Sequence, residues 1–176
     1  MRREDKAGFT LLEFSVVAVI LSILAAVLLE RLVYYQEVAE KINMEATASA
    51  LRSALRLKVA EYMMAGQKIE YEQLARENPV DWLEIKPPNY AGAFSGSQPD
   101  ARPSGSWYFD QSGRMLIYQV GHGQNFVPDS LDLRQVRFRL VLSYAETQGG
   151  EVLGDSPRQA LGIKLETVEP YRWFMP

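Results

Sequence analysis

The sequence contains no cysteine and a single histidine, His122. Disulfides, thiolate nucleophiles and zinc–cysteine sites are therefore excluded, and most Cys–His catalytic arrangements go with them. Proline is absent before Pro79, and Gly66 is the only glycine between Leu29 and that proline. With both helix breakers missing, little in the first third of the chain would interrupt a helix. Charge imbalance is small as well. The formal net charge is −3 over 176 residues, with no run of like charge of the kind that marks a nucleic-acid tail.

What is present is concentrated at the start. Residues 9–29, FTLLEFSVVAVILSILAAVLL, carry one charge, Glu13. As a helix these 21 residues measure about 31 Å, enough to cross the hydrocarbon of a bilayer. A carboxylate within such a span costs roughly 2.5–3.5 kcal/mol on insertion scales, so Glu13 requires either a snorkelling position near the helix end or a partner. Arg2, Arg3 and Lys6 precede the span, while Glu30 and Arg31 nearly cancel beyond it. The positive-inside bias then puts the N-terminus in the cytoplasm and the rest on the periplasmic or external side.

The leader MRREDKAG is polar, ends in glycine, and is too short to be the charged region of an ordinary secretory signal with its own hydrophobic core. The join Gly8-Phe9-Thr10-Leu11-Leu12-Glu13 resembles the cleavage and methylation motif of the type IV pilin and type II secretion pseudopilin superfamily. The resemblance implies that a prepilin peptidase cuts after Gly8 and that the new N-terminal residue, Phe9, is methylated. It also implies that Glu13 pairs with the amine of Phe9 on a neighbouring subunit as a filament assembles. A buried acid and a buried ammonium are each costly alone and tolerable together. Many members of that family close a loop of the head with a disulfide. A chain without cysteine departs from them, towards a minor pilin or a pseudopilin.

Beyond Leu29, strong helix formers dominate. Tyr35, Val38, Ile42, Ala46 and Ala50 recur at helical spacing on one side, and Met44, Ala48, Leu51, Leu55, Val59 and Tyr62 on the other. Two apolar stripes imply two clients: a head domain on one side and neighbouring subunits on the other. The alternative is a long helix buried by its own domain. One helix from Phe9 to about Met64, stopped by Gly66-Gln67, would be roughly 84 Å long.

Residues 67–90 read as a connector with a short helical piece over 70–77, ended by Asn78-Pro79. Trp82, Leu83 and Ile85 read as lids on the head's core, with a subunit contact as the alternative. Residues 91–105 are rich in Gly, Ser, Pro and Ala and read as a loop. Residues 106–110 and 114–120 form a hairpin around Gln111-Ser112-Gly113, with Gly113 suited to a left-handed turn position. Residues 135–144 alternate with Val136, Phe138, Leu140, Leu142 and Tyr144 on one face. Residues 145–159 read as a loop, residues 160–168 as a fourth strand, and the aromatic tail from Tyr171 as docking on the sheet.

The expected fold class is α+β: a long N-terminal helix, half membrane-spanning and half amphipathic, packed on a roughly four-stranded antiparallel sheet. The division is leader 1–8, span 9–29, amphipathic helix 30–66, connector and loop 67–105, and sheet 106–176.

Catalytic chemistry is hard to assemble. His122 lies in the loop Gly121-His122-Gly123, and no serine occupies a strand-to-helix nucleophile elbow. Asp129 and Asp132 read as a surface turn. Together with Asp155 they would be a poor match to the calcium loop of some pseudopilins. Arg134, Arg137 and Arg139 raise nucleic acid as a partner, but mixed parity and an acidic chain favour a solvated face.

The expected function is non-enzymatic: a structural subunit, minor pilin or pseudopilin, of a type IV pilus or related secretion filament. No cofactor or metal is implied. The implied partners are the prepilin peptidase, other pilin or pseudopilin subunits, the inner-membrane assembly platform and the membrane itself. The implied location is the inner membrane, crossed once with a periplasmic head, and then the filament. The competing expectation is a membrane-tethered periplasmic binding module that never enters a filament.

Overall fold

The computed structural model describes residues 10–96, 103–128, 133–144 and 160–174. Thr10 opens the first element. Its backbone is extended, and its side-chain oxygen accepts a hydrogen bond from the Glu13 amide at 3.2 Å, satisfying one of the donors that a helix start leaves unpaired. Helix α1, Leu11–Met64, then runs unbroken for 54 residues. At the helical rise this is about 81 Å. It ends where Gly66 takes φ +64°. There the Gly66 amide donates to the Met63 carbonyl at 3.2 Å and the Gln67 amide to the Tyr62 carbonyl at 3.0 Å. This paired closure uses a left-handed residue, which glycine adopts without steric cost.

The two halves of α1 have different surroundings. Every described residue up to Val33 is exposed. From Glu37 onward one stripe is buried: Glu37, Glu40, Met44, Ala48, Leu51 and Leu55. The last four belong to the second of the two apolar stripes. Of the first stripe, Tyr35, Ile42, Ala46 and Ala50 stay exposed. The head thus claims one side of the helix.

That side packs on a five-stranded sheet. Strands β1 (Tyr90–Phe94), β2 (Ser106–Asp110), β3 (Met115–Gln119), β5 (Gln135–Tyr144) and β6 (Ala160–Thr167) lie in the order β1-β2-β3-β5-β6. All neighbours are antiparallel except β1, which pairs with β2 in parallel. Trp107 and Phe109 of β2, Leu116 and Tyr118 of β3, Val136, Phe138 and Leu140 of β5 and Leu165 of β6 join the helix stripe in one core. Tyr108 and Ile117, cross-strand partners on the opposite face, are also buried. Burial of apolar area at roughly 25 cal/mol per Å² is the main force holding head to helix.

Several details correct the sequence reading. The sheet has five strands rather than four, because Tyr90–Phe94, read as connector and loop, forms the parallel edge strand β1. The tail docks as expected, with Trp173 in the core that the sheet covers and Tyr171 packed against it, but it adds no strand to this sheet. Arg172–Trp173 forms β7, which pairs with β4 (Phe126–Val127) in a separate two-stranded ribbon. The left-handed residue of the β2–β3 turn is Arg114, at φ 50°, and not Gly113. A Cβ at Gly113 would lie 2.5 Å from Asp110 Oδ2 and 2.6 Å from Met115 Cε, the free ends of two flexible side chains that can move aside.

The helical piece of the connector is the single turn α2, Tyr71–Leu74, followed by a 3-10 turn, Pro79–Trp82, which Asn78 caps through the Val80 amide. Trp82 and Leu83 pack against the core, but Ile85 is 83% exposed and is no lid. The loop expected over 145–159 lies outside the described residues.

Candidate functional site

The first candidate region is the bare half of α1. Its apolar stretch is long enough and apolar enough to cross a membrane, and none of its most apolar window is buried by the head. Glu13, its one charge, is exposed and stands in the first turn, where Thr10 caps its amide. A carboxylate in the first turn also complements the helix dipole, an effect of about 0.3–1 kcal/mol. Gly8 and Phe9 lie outside the described residues, as do Asp129, Asp132 and Asp155. Among the described residues no group of three potential metal ligands comes together. Arg134 and Arg139 are exposed, whereas Arg137 is paired with Glu169, so the three arginines do not form one free basic face.

The second region was not anticipated. Glu37 and Glu40, one helical turn apart, are buried and turned towards the head. Glu40 Oε1 accepts from the Tyr118 hydroxyl at 3.0 Å and the Gly121 amide at 2.7 Å. Its Oε2 accepts from the His122 amide at 2.6 Å and lies 2.9 Å from His122 Nδ1. Glu37 Oε1 accepts from the Asn125 amide at 2.8 Å and the Trp173 indole at 2.9 Å, while Oε2 accepts from Asn125 Nδ2 at 2.9 Å. Lys41, on the next turn, donates to the Trp173 carbonyl at 3.0 Å.

Seven contacts thus draw β3, the loop after it and the β7 tail onto the shaft. Buried carboxylates are tolerated when their lone pairs are filled this way. Burial, reinforced by the Glu40 charge and the hydrogen bond to it, holds the Tyr118 hydroxyl protonated far above the ordinary tyrosine range.

A signal for this cluster exists in the sequence. Positions 37, 40, 44, 48, 51 and 55 follow three- and four-residue steps, so the core stripe begins with two acids rather than with Met44. Acids at core-facing positions call for donors from elsewhere in the chain. The loop Gly121-His122-Gly123-Gln124-Asn125, with its backbone amides, supplies them.

No enzyme-like constellation is built here, since His122 faces a carboxylate that backbone and tyrosine donors already occupy. The cluster is a clasp that sets where the head sits on the helix.

Comparison with known proteins bears on the first region. Residues 4–29 match the family model described as the prokaryotic N-terminal methylation motif. The chain is similar to the type IV narrow pilus major component PilA5 of Thermus thermophilus, at 47% identity over 47 residues. Those residues are 27% of this chain and 40% of that protein's length, so the likeness spans less than half of either. No solved structure matches the chain. A methylation motif on an apolar, membrane-length helix, continued without a break into a helix that carries an α+β head, makes this a type IV pilin-like protein.

Proposed function

We propose that the chain is a filament subunit, a minor pilin or pseudopilin, that a prepilin peptidase cuts after Gly8 and that is then methylated on Phe9. The observation that carries this reading is the pairing of two exposed surfaces on one rigid rod. The apolar half of α1 is wholly uncovered, and the stripe of Tyr35, Ile42, Ala46 and Ala50 faces away from the head. A mere tether needs the first surface but has no use for the second.

In this reading the leader is 1–8 and the span 9–29. The shaft continues over 30–66, the connector is 67–105 and the rest of the head 106–176. The protein waits in the inner membrane with a cytoplasmic start and a periplasmic head, then packs with other pilin or pseudopilin subunits at an assembly platform. Glu13 meets the Phe9 amine of an adjoining subunit, each ion relieving the other's cost in apolar surroundings. The role is structural rather than enzymatic. Likeness to a pilus component favours a pilus over a secretion pseudopilus.

Mass spectrometry of the mature N-terminus tests processing: methylated Phe9 is expected, and an intact Met1 in cells that hold the peptidase would favour the tether. Glu13→Ala should leave cleavage largely intact and reduce incorporation into filaments. Normal filament yield from that variant would remove Glu13 from the assembly step. Gly8→Ala should impair cleavage less than a bulky residue at the same place, because the peptidase must approach the backbone closely.

A further inference from the structure

The β4–β7 ribbon lies at the end of the head nearest the apolar run. The tail descends the shaft. Tyr171 feels the charges of Glu45 and Arg52, Trp173 is bonded to Glu37 and Lys41, and Phe174 comes next, its amide on the Asn125 carbonyl. Phe126 and Trp173 turn inward, with ring centroids 5.3 Å apart. The opposite face of the ribbon presents Val127 (50% exposed), Arg172 and Phe174 (57% exposed).

Height along the helix decides what this face meets. Glu37 is eight residues past Leu29, the last residue of the apolar run, or about 12 Å at the helical rise. The headgroup layer adds roughly 5–8 Å on each side of the hydrocarbon. One extended residue beyond Trp173 descends at most about 3.3 Å, which leaves the Phe174 backbone about 9 Å above the hydrocarbon, just outside that layer. A helix tilt of about 20° lowers one side of the head further. Tyr34 and Tyr35, with ring centroids 5.5 Å apart, stand just beyond the apolar run, at the depth where aromatic rings gather at membrane interfaces.

We propose that the β4–β7 ribbon is a foot by which the head stands on the phospholipid headgroups of the bilayer that α1 crosses, with Phe174 entering the interface and Arg172 meeting phosphates. This rests on the membrane-anchored reading above. Aromatic and cationic side chains on one face suit a layer that is apolar below and anionic at its surface. The clasp at Glu37 and Glu40 holds the foot at fixed height, so contact needs no rearrangement of the head.

The chain has no cysteine, so single-cysteine variants of the full protein report single positions. Ser22→Cys, Phe174→Cys and Lys164→Cys would each carry a nitroxide in vesicles of phosphatidylethanolamine and phosphatidylglycerol. Collision with oxygen and with a water-soluble nickel chelate then gives depth. The expected order is Ser22 in the hydrocarbon, Phe174 at headgroup depth and Lys164 in water. Phe174 as aqueous as Lys164, with Ser22 still deep, overturns the foot and leaves the anchor standing. Ser22 in water overturns the anchor and the foot together. Shielding of Phe174 that vanishes on dilution with unlabelled protein means contact between copies, and also overturns the proposal.

Discussion

Glu37 and Trp173 are 136 positions apart in the chain and 2.9 Å apart in space, joined by a hydrogen bond from the indole to the carboxylate. This contact, with those of Asn125 and Glu40 beside it, fastens the end of the chain to the middle of its first helix. Glu37→Gln replaces one acceptor oxygen by a donor and sets it against groups that are donors already. The cost should be roughly 2–3 kcal/mol, that of orphaning partners of a buried charged group. Urea unfolding of the full protein in detergent measures it. Hydrogen exchange should show residues 121–127 and 171–174 losing protection while β2, β3 and β5 keep theirs.

Gly123 is closed in by its neighbours. A Cβ at that position would stand 2.7 Å from Val120 Cγ1 and 3.0 Å from Phe126 Cβ. Gly123→Ala must therefore shift the loop or the ribbon, and should destabilise by about 1–3 kcal/mol. Thermal unfolding of the variant checks it; an unchanged midpoint would mean that the loop can yield without loosening its amides from Glu40.

Alkaline titration follows from Tyr118. Burial first, then the Glu40 charge, raises its pKa above the ordinary value. The unfolded chain releases this proton near pH 10 while the folded protein retains it. Stability is therefore full below about pH 10 and falls as pH rises towards the folded-state pKa. Tyr90 and Tyr171 are raised too, chiefly by burial, and add to the same slope. Unfolding free energies from pH 9 upward should decline, and less steeply in Tyr118→Phe. A flat profile in the parent protein would contradict the protonated hydroxyl.

The two stripes of α1 should separate in a pair of variants. Leu51 is fully buried, and Leu51→Ala should cost about 2–5 kcal/mol of head stability. Ile42 is 56% exposed, so Ile42→Ala should change stability by no more than about 0.5 kcal/mol. Under the filament reading its effect appears instead in assembly. Denaturant curves and filament yield on the same two variants distinguish the roles.

Much of this architecture was legible because it rests on periodicity. The unbroken helix, its stop at Gly66, the buried stripe from Met44 to Leu55, and strands β2, β3, β5 and β6 all announce themselves through spacing. Features without a period stayed hidden. Strand β1, YAGAF, is short and built from small residues with Gly92 at φ 102°, so its pattern is that of a loop. Strands β4 and β7 have two residues each and cannot alternate visibly. Glu37 and Glu40 do keep the period of the buried stripe, but an acid is ordinarily exposed, so a stripe traced through apolar residues starts only at Met44. Only the distant donors of residues 118–125 and 173 make their burial affordable, and nothing local in the sequence points to them.

The unbroken course of α1 also makes its length a gauge. Each residue of the helix turns the chain by about 100° and advances it about 1.5 Å. A single residue inserted between the apolar run and Glu37 would swing the head almost a third of a circle around the shaft while barely raising it. The compass bearing of every surface on the head, relative to the membrane-length segment below, is thus written in a residue count before any neighbour arrives.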